Sequence, residues 1–142
     1  IYTLSLHDAL PISKYVAQLK ELGVDIIAYQ DEVGVEKSSF DDLSYIFSEL
    51  NAAHNQAGVT LWADMEIFRF ESQVYNSALL PADINRVRLQ LKGIAPYVEE
   101  ILCYQYIGLI DKPGSKAPLG PEEARKLYLD YKNYLEGLPT IK

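Results

Sequence analysis

Three stretches of this sequence end in side chains that can do chemistry. Gln30, Asp31 and Glu32 follow the apolar run at residues 24–29, Trp62, Asp64 and Glu66 alternate along residues 59–68, and Tyr104, Gln105 and Tyr106 close the run at residues 101–107. Carboxylates set among Trp and Tyr suit the hydrolysis of a sugar acetal. One carboxyl protonates the leaving oxygen, a second stabilises or attacks the cationic sugar carbon, and aromatic faces hold the ring. If the three runs are neighbouring strands, about 4.8 Å apart, acids at their ends fall within the roughly 5–9.5 Å separation that glycoside hydrolases use. Asp31, Glu32, Asp64 and Glu66 are therefore the candidate catalytic acids. Gln30, Trp62, Tyr104, Gln105 and Tyr106 are the candidate substrate contacts. The plain alternative is that all four acids are solvated or ion-paired strand ends.

The elements that must position these residues alternate along the chain. Tyr15, Val16, Leu19 and Leu22 recur at helical spacing and Gly23 stops them. Residues 24–29 (VDIIAY) read as a buried strand. Ser39 and Asp42 resemble a capping box, after which Phe40, Leu43, Ile46, Phe47, Leu50, Ala53 and Ala57 form one stripe up to Gly58. Residues 59–68 (VTLWADMEIF) read as one second strand. Pro81 is expected to open a helix bearing Ile84, Val87, Leu91 and Ala95. Residues 101–107 read as the third strand. After the Gly- and Pro-rich loop at 108–120, Pro121, Glu122 and Glu123 begin a last helix that ends at Gly137. Strand–helix alternation without hairpins implies a parallel sheet flanked by helices, because each parallel crossover needs a dozen or more residues. The class is α/β. Strand parity then places Thr60, Trp62, Asp64 and Glu66 away from the helices, with Tyr104, Tyr106, Tyr29 and Asp31 on that face and Gln30 and Glu32 on the other.

Composition removes several functions. The 142 residues carry 20 acidic against 13 basic side chains, a net charge of −7, with no Lys/Arg run longer than two, so no clustered basic face offers itself to nucleic acid. No apolar run reaches the roughly 18–20 residues of a membrane helix. Cys103 is the one cysteine, and beside only His7 and His54 it makes no zinc spacing. It reads as buried filler, and His54 as a helix-end residue in favourable dipole contact. Gly34, Gly108, Gly114 and Gly120 fit no phosphate-binding loop. The four acids could hold a divalent metal, but their spacing does not require one, and the expectation is no cofactor and no metal. The 11 tyrosines are the one compositional excess, suited to an interior or to a carbohydrate-facing cleft.

Two resemblances follow. Residues 1–13, IYTLSLHDALPIS, match the translation of a common short-read sequencing adapter codon by codon, so they are expected to be an artefact at the end of an assembled contig. His7 and Asp8 then have no functional claim, and residues 14–142 are the protein proper. Within them, DIIAYQDEVG (25–34), LWADMEIF (61–68) and ILCYQY (101–106) resemble an uncharacterised bacterial family, domain of unknown function 4434, considered similar to glycoside hydrolases.

That resemblance implies a partial (β/α)8 TIM barrel, namely strands six to eight preceded by one helix, with the N-terminal part of the same barrel missing. It implies a carbohydrate partner, a secreted or periplasmic parent, and Glu66 at the strand-seven position of a retaining nucleophile. The acid/base would lie upstream. Residues 14–142 by themselves are expected to be inactive and to aggregate through bare strand edges. The competing expectations are a non-catalytic carbohydrate-binding or scaffold barrel, and a small doubly wound domain with its own ligand site at the strand ends.

Overall fold

The computed structural model describes residues 2–4, 12–75, 77–115 and 120–139. In chain order the elements are β1 (Tyr2–Leu4), α1 (Ile12–Glu21), β2 (Ile26–Gln30), α2 (Leu43–Ala57), β3 (Thr60–Glu66), β4 (Phe68–Phe70), β5 (Leu79–Pro81), α3 (Ile84–Ile94), a 3-10 turn (Ala95–Tyr97), β6 (Glu100–Tyr104) and α4 (Glu122–Glu136). Strands β1, β2, β3 and β6 form one parallel sheet in that order, while β4 and β5 pair antiparallel in a separate ribbon.

The α/β alternation is therefore present, but the eightfold barrel is not. Among the described residues β1 pairs only with β2 and β6 only with β3, which leaves a sheet with two ends rather than a closed ring. The sequence also hides a boundary. The run at 59–68 is two strands, because the chain leaves the parallel sheet after Glu66 and re-enters pairing at Phe68 as the ribbon. Ile67, at the corner, donates its N–H to the Tyr104 carbonyl (3.1 Å) and accepts from Ala82 (2.9 Å), which ties the ribbon to the end of the sheet. Pro81 ends β5 instead of opening a helix. α3 starts later, capped by Asp83, whose carboxylate accepts the Asn85 N–H at 2.8 Å.

The other helix boundaries follow local chemistry. Gly23 and Gly58 take the left-handed conformation (φ 84° and 65°) that stops α1 and α2, where a side chain would be strained. Ser39 bonds the Asp41 N–H, so the expected capping box does not form, and α2 begins at Leu43 with Phe40 outside it. β6 is shorter than expected, with Tyr106 in the turn that follows it. β1 and the first two residues of α1 fall in the segment that resembles adapter sequence. His7 and Asp8 lie outside the described residues.

Helices pack against one face of the sheet. Ile27 and Tyr29 of β2, Leu61, Ala63 and Met65 of β3, Val16 and Leu19 of α1, Leu43, Phe47 and Leu50 of α2, Val87 of α3 and Leu127 of α4 share one buried core. Each fully buried apolar side chain of this size contributes about 1.5–3 kcal/mol. Parallel crossovers of one hand, always stepping in the same direction across a sheet, place all helices on the same side. The register aligns Ala28 with Trp62 and Glu100, and Gln30 with Asp64 and Leu102, on the opposite face. Among the described residues that face carries no helix layer: Leu102 is 40% exposed and Tyr104 42%.

Candidate functional site

The carboxyl ends of β2, β3 and β6 meet at a cleft of about 310 Å³. Gln30 and Glu32 enter it from β2 and the loop beyond, Val35 and Lys37 from further along that loop, Glu66 from β3 and Tyr104 from β6. Phe68 and Phe70 of β4, Leu79 of β5 and Tyr75 between them close the remaining side. The ribbon's rings run edge to face, with centroids 6.0 Å apart from Tyr104 to Phe68, 6.0 Å from Phe68 to Phe70 and 5.5 Å from Phe70 to Tyr75. The cleft thus pairs two acids with an aromatic wall.

Glu66 is 4% exposed although it lines the cleft. Its Oε2 accepts the Val35 N–H at 2.9 Å. Burial pushes its carboxyl up to about 7, opposed by the N–H groups of Val35 and Gly34 and reinforced by the charges of Asp31 and Glu32. Gly34 makes this approach possible: a Cβ there would lie 2.8 Å from Glu66 Cβ, 2.9 Å from Oε2 and 3.0 Å from the Phe68 ring. Glu32 is buried and holds φ at 55°, a left-handed conformation uncommon for a residue with a side chain.

Asp31 is placed differently. It is fully buried beneath the strand ends and outside the cleft lining. Its Oδ1 accepts the N–H groups of Val33 (3.3 Å) and Glu66 (3.1 Å), and its Oδ2 accepts Gln90 Nε2 at 2.6 Å. Burial raises its carboxyl above the ordinary range, against these hydrogen bonds and the nearby Arg86 charge. The register corrects the expected parity of β2, since Gln30 shares the face of Asp64 whereas Tyr29 points into the helix layer. There Tyr29 OH meets His54 Nε2 at 3.2 Å, while His54 Nδ1 lies 3.0 Å from the Val59 carbonyl. His54 lies in the last turn of α2, as its position near a helix end implied, and its ring is buried against the sheet.

The remaining candidates are dispersed. Trp62 and Asp64 are half-buried on the open face, further down β3 than Glu66, and burial raises the Asp64 carboxyl. Gln105 is exposed beyond β6, after a cis Tyr104–Gln105 bond. Tyr106 lines another, apolar groove of about 460 Å³ with Cys103, Ile110, Tyr128, Tyr131 and Leu135, between β6 and α4. The structure therefore brings Gln30, Glu32, Glu66 and Tyr104 together, sets Asp31 behind them and leaves Gln105 and Tyr106 apart. A hollow of about 230 Å³ at the other end of the strands includes His54, whose two ring nitrogens are already engaged. Among the described residues no group of three or more His, Cys, Asp or Glu side chains is arranged to hold a metal ion, and no helix is long and apolar enough to cross a membrane.

Sequence reasoning missed Arg86 and Gln90. Arg86 Nη2 donates to the carbonyls of Glu66 (2.8 Å) and Phe68 (2.6 Å), and its Nε to Gln90 Oε1 (3.2 Å). Gln90 Nε2 reaches the Glu66 carbonyl at 3.1 Å. The available signal was Gln90 itself, a polar residue on the buried stripe of α3 between Val87 and Ile94.

The chain belongs to the family described as domain of unknown function DUF4434, whose model matches residues 6–117. Among solved structures it is similar to the crystal structure of a "putative alpha-L-fucosidase" from Bacteroides thetaiotaomicron VPI-5482, with a TM-score of 0.70 at 20% sequence identity. The alignment covers 92% of this chain and 39% of that one, so the chain spans about two fifths of its length. At that identity the likeness is one of fold. No curated protein matches the chain.

Proposed function

We propose that the cleft is a carbohydrate-processing site of glycoside hydrolase type in which Glu66 transfers the proton. The observation that carries this reading is a buried glutamate at the cleft whose carboxyl is pushed up to about 7. Such a group is protonated in a useful fraction near neutral pH and can donate to a glycosidic oxygen as the bond to the sugar carbon breaks. This favours an acid/base role for Glu66 over a nucleophilic one, which needs the ionised form. Glu32, in the same cleft, is the second carboxylate, attacking the sugar carbon or activating water. Tyr104 and the Phe70–Tyr75 wall supply the apolar surface that a pyranose ring packs on, and Gln30 a hydroxyl contact. The kinship in fold to a protein named for fucoside hydrolysis supports the substrate class.

The test is hydrolysis of a panel of 4-nitrophenyl glycosides, alpha-L-fucoside included, by the chain and by Glu66→Gln. Both carboxylates of the proposed pair lie in this cleft. In place of the inactivity expected of residues 14–142, the result expected here is therefore turnover of at least one substrate, falling as pH rises through about 7, and a loss of about 10²–10⁴-fold in the variant with an unchanged circular dichroism spectrum. Wild-type rates in Glu66→Gln, or binding without turnover, would overturn the reading.

A further inference from the structure

Glu66 lines the cleft while almost wholly buried, and its main chain is held from behind. Its N–H is bonded to Asp31, its carbonyl to both Arg86 and Gln90, and these three side chains are bonded to one another through Gln90. None of them lines the cleft. A neutral Asn at position 31 could accept the two backbone N–H groups without the cost of burying a charge, which is several kcal/mol in order of magnitude, but its amide would set a donor against Gln90 Nε2. The two carbonyls at the β3–β4 corner could likewise be satisfied by neutral donors. Beyond holding the corner, both charged side chains act on the Glu66 carboxyl.

We propose that Asp31, Gln90 and Arg86 are positioning residues for Glu66, fixing its main chain on both sides and setting an anion and a cation of fixed place behind its carboxyl. The inference rests on the reading of Glu66 as the proton-transferring group, and it adds that the protonation state is set from beneath the cleft. The charged and titratable groups around Glu66 are Asp31 and Glu32 at the end of β2, Lys37 on the following loop, Arg86 on α3, Tyr104 on β6 and Tyr75 beyond β4. Of these, Asp31 is fully buried and Arg86 half-buried in the bonded set behind Glu66, where bulk water does not screen them fully. The Asp31 charge opposes ionisation of Glu66; the Glu66 charge favours the charged form of Arg86, so by reciprocity Arg86 favours the Glu66 carboxylate.

The experiment is a titration of the full chain carrying ¹³C-labelled glutamate carboxyls, with the Glu66 midpoint read by nuclear magnetic resonance. Asp31→Asn is expected to lower that midpoint by about one pH unit or more, a tenfold change in acid dissociation. Arg86→Met is expected to raise it, and Arg86→Lys, which keeps the charge, to bring it back towards wild type. A purely structural set would not move the midpoint in opposite directions. A midpoint unmoved in Asp31→Asn with a native amide spectrum would overturn the proposal. Should that variant not fold, the Arg86→Met against Arg86→Lys comparison decides, with equal midpoints the overturning result. Turnover of the glycoside panel is read on the same samples. Opposite shifts without turnover would remove the hydrolase reading and keep the positioning set, whereas turnover without the shifts would do the reverse.

Discussion

Glu66 carries a thermodynamic signature that is independent of any substrate. Its folded value of about 7 lies above the free carboxyl value of 4.5, so the folded chain holds a proton that the unfolded chain releases between those limits. The associated stability is complete below about 4.5 and is lost as pH rises through about 7. Glutamine mimics the neutral form. Glu66→Gln should therefore match wild type in acid and exceed it by up to about 3 kcal/mol above neutral pH, measured by urea unfolding at both ends. Equal stability at high pH would mean that the carboxyl is not desolvated. Gly34→Ala tests the same spot from the other side. Its methyl would push on Glu66 Cβ, Oε2 and the Phe68 ring, with about 1–3 kcal/mol of destabilisation and a Glu66 midpoint displaced from about 7.

At the scale of elements, two small structures do what the strands cannot. The β4–β5 ribbon closes one side of the cleft, and Asp111 ties Gly108 to Gly120 ahead of α4. Asp111 is 2% exposed and accepts the N–H groups of Gly108 (2.8 Å) and Gly120 (2.6 Å). Asp111→Ala should cost about 1–3 kcal/mol by leaving those half-buried donors without their acceptor, a loss visible as a lower urea midpoint. The parallel strands were legible in the sequence because β-branched runs alternate with helical stripes, and Glu32, Glu66 and Tyr104 were legible as polar residues at their ends. The ribbon was not, since nothing in IFRF marks where one apolar strand stops and another starts. Arg86 and Gln90 were also hidden. A stripe reading assigns polar residues of a helix to solvent, and only tertiary packing reveals that this side of α3 faces the end of the sheet. The β2 parity failed for a related reason: a run of buried residues offers no alternation from which to read its faces.

For the whole molecule, the single-sided helix layer leaves Trp62, Asp64, Leu102 and Tyr104 on a sheet face with no partner layer among the described residues. An open sheet face that exposes Leu102 and Tyr104 beside half-buried Trp62 promotes association. The chain should show a sedimentation coefficient that rises with concentration, and Leu102→Lys should suppress the rise while leaving the unfolding midpoint within about 0.5 kcal/mol of wild type. A concentration-independent monomer would contradict this. The bonded set behind Glu66 has a consequence in time as well as in space. Its longest bond joins residues 59 apart, Asp31 and Gln90, so the site closes only when α3 reaches strands laid down much earlier in the chain. Such distant contacts are made late because loop closure must precede them. Proton uptake by Glu66, followed with a pH indicator during stopped-flow refolding near neutral pH, should therefore lag the gain of helical signal and mark the final docking step.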